Sequence, residues 1–128
     1  MPYLTDQRKK LLSEDPLQAT EPGDWNYLYT QAYLHVFARE PKYETIYRLN
    51  TFPFEYPEVV DVATTLHNNG VSAIERHGAM EVAYDEFYRR VGGIYEDECI
   101  ARNGDLKEYD KVLDIIDEKF RDKEGNQK

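Results

Sequence analysis

The chain has 128 residues, 41% of them hydrophobic and 32% charged, which suits one modest core and not two. Its net charge of -9 argues against a general attraction to nucleic acid or anionic lipid and makes a basic macromolecular partner the easier fit. The single cysteine, Cys99, excludes an internal disulfide framework and a multi-thiolate zinc site. No apolar run approaches the roughly eighteen residues needed to span a bilayer. The opening Met1-Pro2-Tyr3-Leu4-Thr5-Asp6 lacks the charged and apolar regions of a signal peptide, so a reducing cytoplasm is expected. Tyrosine, at 11 residues, suits a thin core whose rings keep their hydroxyls on a wet edge or on a partner.

Taken in chain order, Thr5 to Leu12 reads as a short helix with Thr5 as its cap, inside an N-terminal arm of residues 1–22. Asp15-Pro16 and Thr20-Glu21-Pro22-Gly23 interrupt regular structure. From Asp24, the residues Trp25, Leu28, Tyr29, Ala32, Tyr33, Val36 and Phe37 recur at three- and four-residue steps, predicting a helix with one buried face that Pro41 closes. Residues 41–71 read as an insertion. Tyr43, Thr45, Tyr47 and Leu49 alternate like a strand, Thr51 to Pro57 forms an aromatic loop, and Pro57 opens a short helix ended by Asn68-Asn69-Gly70. Ser72 with Glu75 is a capping-box pattern before the longest predicted helix, from about 73 to 101, whose core face is Met80, Ala83, Phe87, Val91 and Ile94. Asn103-Gly104 should end it with Gly104 left-handed, and Asp105 should cap a last helix that packs antiparallel to it. That last helix gathers Leu106, Tyr109, Val112, Leu113, Ile116 and Phe120 on one side, and a tail of 123–128 should fray. The expected fold is all-α: a single-domain helical bundle with a long central helix packed on a C-terminal helix and an irregular aromatic insertion.

The run Tyr88-Arg89-Arg90-Val91, Tyr95-Glu96-Asp97, Ile100 and Asn103-Gly104-Asp105-Leu106 resembles the C-terminal signature of a family of short tailed-bacteriophage proteins of no assigned activity. Gly23-Asp24-Trp25-Asn26-Tyr27-Leu28 is similar to that family's helix start, and Gly78, Glu81 and Glu86 fall in register with it. About half the chain takes part, and 41–71 has no counterpart. The resemblance implies a phage origin, a host-cytoplasm location and a helical hairpin core. It brings no mechanism.

On the long predicted helix, Glu81, Asp85, Arg89, Gly92 and Glu96 share one stripe, with Glu86, Arg90, Gly93 and Asp97 beside it. One reading is a solvated face with Asp85–Arg89 and Glu86–Arg90 ion pairs, each worth a few tenths of a kcal/mol. The other starts from Gly92-Gly93, which costs about 1 kcal/mol per glycine inside a helix and so marks a kink or the close approach of a partner. It makes Arg89, Arg90, Tyr95, Glu96, Asp97, Asn103 and Asp105 the candidate binding residues. No catalytic residue is nominated. Protein binding or self-association, with a host or phage protein as partner and no cofactor, is the leading expectation. The alternative is a metal-dependent nucleotide pyrophosphohydrolase holding Mg²⁺ on Glu81, Asp85 and Glu96, although the paired-acid spacing of such helical enzymes is not reproduced. His35, His67 and His77 lack a second nearby histidine, and Cys99 lies among acids that disfavour a thiolate. The mixed charges of the last helix suggest a solvated face, and no basic nucleic-acid groove is evident.

Overall fold

The computed structural model describes residues 4–104 and 106–125, and side chains as far as 120. The fold is all-α, and among the described residues there is no strand. The helices are α1 Asp6–Glu14, α2 Pro22–Arg39, α3 Tyr43–Thr51, α4 Pro57–Asn68, α5 Ala73–Phe87, α6 Gly93–Asn103 and α7 Lys107–Gly125. Short 3-10 turns lie at Pro16–Gln18 and Pro53–Glu55, and a π turn at Tyr88–Gly92 joins α5 to α6. No helix among the described residues is long and apolar enough to cross a membrane. The chain divides into two compact units, residues 1–94 and 95–128.

The first unit is built on α2 and α5. The periodic face of α2 buries Trp25, Leu28, Tyr29, Ala32, Tyr33 and Val36, and α5 buries Ala79, Met80, Ala83, Tyr84 and Phe87. A run of rings crosses the unit: Phe37 to Phe87 at 6.1 Å, Phe87 to Tyr33 at 5.8 Å, Tyr33 to Tyr84 at 6.0 Å, Tyr84 to Tyr88 at 5.9 Å and Tyr88 to Tyr47 at 6.3 Å. Tilted and edge-on contacts at such distances are favourable beyond the area they bury. Two hydroxyls of this set pay their desolvation by reaching backbone: Tyr84 donates to the Ile46 carbonyl at 2.7 Å and Tyr33 to that of Met80 at 3.3 Å. Burial pushes the Tyr84 hydroxyl up to about 12 and that of Tyr29 likewise to about 12.

The insertion is not irregular. Residues 43–51 form α3 because Ile46 and Leu49, three apart, are buried on its inner side, while Tyr43 and Tyr47, four apart, pack ring on ring at 5.0 Å on the outside. The strand-like alternation of Tyr43, Thr45, Tyr47 and Leu49 mixes residues of the inner side, Thr45 and Leu49, with the outer pair Tyr43 and Tyr47. Only the aromatic 3-10 turn Pro53–Glu55 remains of the expected loop, and Pro57 opens α4. Gly70, at φ 81°, ends α4 as predicted.

The N-terminal arm is tied down. Thr5 caps α1 by accepting from the Arg8 N–H at 3.1 Å, and Leu12 is fully buried. Arg8 then forks onto Asp24, with Nε to Oδ1 at 3.1 Å and Nη2 to Oδ2 at 2.6 Å. At the start of α5 the capping box is present, with the Glu75 N–H donating to Ser72 Oγ and the Ser72 N–H to Glu75 Oε1, both at 3.2 Å.

The long helix does run without a break in helical structure from Ala73 to Asn103, but it is not α-helical throughout. The Gly93 N–H bonds the Tyr88 carbonyl five residues back, so the π turn inserts one residue into the count. That is why Val91 is only half-buried and Ile94 is exposed, although steps of three and four placed both in the core.

In the second unit, Gly104 has φ 80° and its N–H bonds the Ile100 carbonyl at 2.8 Å, which is the predicted helix stop. Asp105, the expected cap of the next helix, lies outside the described residues. The expected packing of the C-terminal helix is not made between α6 and α7: α6 has no buried residue, and every described side chain of α7 is exposed. Helix α7 continues to Gly125, into the stretch expected to fray.

Candidate protein-binding face

Helix α7 has 19 residues and is therefore about 28 Å long. Tyr109, Val112, Leu113, Ile116 and Phe120 fall within a stripe roughly 100° wide at 100° per residue. Their exposures are 56, 49, 56, 44 and 61% respectively. Asp110 and Asp117 border the stripe on one edge and Lys119 on the other, with Lys111, Asp114 and Glu118 on the far side. Ile115, 55% exposed, stands apart from the stripe between Lys111 and Lys119. The stripe makes α7 the candidate contact face of the chain.

The residues nominated as a binding site divide between the two units. Arg89 and Arg90 lie in the π turn of the first unit, and Tyr95, Glu96, Asp97 and Asn103 in α6 within the second; Asp105 is outside the described residues. Both arginines converge on one carboxylate, that of half-buried Glu86: Arg89 Nη2 reaches its two oxygens at 3.0 and 2.9 Å, and Arg90 Nε reaches Oε1 at 2.9 Å. The hydrogen bond from Arg89 above all, with the charge of both arginines, holds the Glu86 carboxyl below its usual range. Of the two predicted ion pairs, Glu86–Arg90 is present, while Arg89 reaches Glu86, three residues back. Tyr95 and Glu96 are half-buried, and Asp97 and Asn103 are exposed.

Glu81 and Asp85 line a groove of about 500 Å³, with His77 on the same wall and Asn50, Thr51 and Phe54 across it; Tyr33, Met80 and Tyr84 also line it. The third acid of the predicted Mg²⁺ set, Glu96, belongs to the other unit, and the extra residue of the π turn breaks the count that put it on the same stripe. Among the described residues no group of three or more His, Cys, Asp and Glu side chains is placed to hold a metal ion. Cys99 is half-buried and accepts from Arg102 Nη2 at 3.6 Å. His35, His67 and His77 are all exposed.

The stripe of α7 was visible in the sequence as periodicity but read as core. A core helix and an interface helix carry the same apolar spacing, and the available signal was the charged far side with a neighbouring helix too short of apolar residues to cover the stripe. The chain matches no protein-family model, no curated protein and no solved structure.

Proposed function

We propose that the protein is an accessory protein of a tailed bacteriophage that acts by binding protein, with the apolar stripe of α7 as its contact face. The observation that carries this reading is the exposure of Tyr109, Val112, Leu113, Ile116 and Phe120 on one side of a single helix. Covering the exposed half of each side chain contributes about 1 kcal/mol, or about 5 kcal/mol over the stripe, enough to matter against the cost of association. Anchors spaced four, three and four residues apart suit a helix laid against an apolar groove or another helix. The phage context rests on the resemblance of the Tyr88 to Leu106 run.

Affinity capture from infected cells with the wild-type chain and with a Leu113→Asp/Ile116→Asp variant tests this reading. The wild type should recover a reproducible protein that the variant loses, while the near-ultraviolet signal of the aromatic core stays unchanged. Equal recovery by both chains would place the contact elsewhere.

A further inference from the structure

The groove of about 500 Å³ in the first unit lies between α5 and the stretch from the end of α3 to the 3-10 turn, and its size is that of a small-molecule site. We propose that it binds a small organic cation, a primary ammonium on an apolar or aromatic body, with the charge on Glu81 and Asp85 and the body against the rings. Every residue of the groove belongs to the unit of residues 1–94, so the inference goes beyond the contact assigned to α7 and does not depend on it.

Much of the lining is apolar. Tyr33, Leu49, Met80 and Tyr84 are buried residues that line it. The hydroxyls of Tyr33 and Tyr84 donate to the carbonyls of Met80 and Ile46, so what these side chains offer a ligand is ring. Phe54, 59% exposed, adds a ring across from the acids.

Charge selects among ligands that would fit such a lining. Glu81 and Asp85 are four residues apart on α5 and so share one side of that helix. Among the described residues neither makes an ion pair. No Lys or Arg lines the groove. Arg89 lines the adjoining hollow with Asp85, but its guanidinium lies on the Glu86 carboxylate. An anion would therefore meet two carboxylates with no counter-charge beside them. A hydrated metal ion would leave the rings facing water. An organic cation covers the rings, gains the attraction of their faces, and brings three N–H donors to the carboxylates and the Asn50 side chain.

Calorimetric titration of the full chain at neutral pH and constant ionic strength tests this with benzylammonium, benzyl alcohol and benzoate. Benzylammonium should saturate a single site and bind about tenfold or more tighter than the alcohol, which has the same body without the charge; benzoate should not bind. Glu81 and Asp85 are both exposed, so Glu81→Gln/Asp85→Asn should keep the near-ultraviolet signal of the core while weakening benzylammonium about tenfold or more. Phe54→Ala should weaken it by about threefold, the scale of an exposed ring–cation contact. Absence of saturable benzylammonium binding would overturn the proposal. Equal affinity for the alcohol would overturn it too, because the groove would then read the body and not the charge. Binding undiminished in the double variant would put the cation elsewhere on this acidic chain and overturn the assignment of Glu81 and Asp85.

Discussion

Asp24 holds the N-terminal arm on α2, and its environment sets a pH dependence. Burial raises the pKa of this carboxyl, but the Arg8 fork and the N–H groups of Thr20 and Glu21, at 3.0 and 3.2 Å, outweigh it and leave the group below its ordinary value. A carboxyl with a lower pKa folded than unfolded binds fewer protons in the folded state. Its contribution is therefore present above about pH 4 and is lost as pH falls through the folded value. Asp24→Asn keeps the shape but removes the charge, and should cost about 2 kcal/mol at neutral pH, the scale of a hydrogen bond to a charged group. Urea melts at neutral and acid pH check this: the gap between wild type and variant should narrow as pH drops below about 4. A gap of the same size at both pH values would show that Asp24 does not carry the dependence. Arg8 and Asp24 are sixteen residues apart, so neither spacing nor composition announces their pairing.

At the scale of the element, the π turn Tyr88–Gly92 sets the space around Gly92. Gly92 is buried, and a Cβ built there would lie 3.0 Å from Tyr88 Cδ2 and 3.2 Å from Cγ, so the ring that packs on Tyr84 and Tyr47 would have to move. At Gly78, in the middle of α5, a Cβ would meet nothing within 4 Å. Gly78→Ala should therefore gain close to the helix-propensity difference, about 1 kcal/mol, whereas Gly92→Ala should gain none of it. Thermal melts of the pair decide the matter, and equal gains would mean that the close approach of Tyr88 is unimportant. These elements also mark where the sequence could be read. The faces of α2 and α5 were legible because Trp25 to Val36 and Met80 to Phe87 repeat over several turns, and the caps at Ser72–Glu75 and Gly104 because their chemistry is local. The nine residues of α3 were not, since Tyr43 and Tyr47 imitate alternation over so short a run. Nor was the π turn, because Gly92-Gly93 permits a kink, a close contact or a bulge without choosing among them.

Over the whole molecule, the two units differ in what holds them. The first has Tyr29, Tyr33, Leu12, Ile46, Leu49, Leu66, Val36 and Val59 fully buried, so its helices open only with the core. In the second, no described side chain is buried. Sequence periodicity could not separate these cases, because Leu113 and Ile116 are three apart just as Trp25 and Leu28 are, and only exposure distinguishes them. Amide hydrogen exchange measures the difference. Amides of α2 and α5 should exchange slowly and at a rate independent of protein concentration, because their protection is intramolecular. Those of residues 107–120 should exchange faster, since no described side chain of α7 is buried. In Leu113→Asp the amides of α2 and α5 should keep their protection. Slow exchange across residues 107–120 in dilute protein would mean that α7 is covered within its own chain.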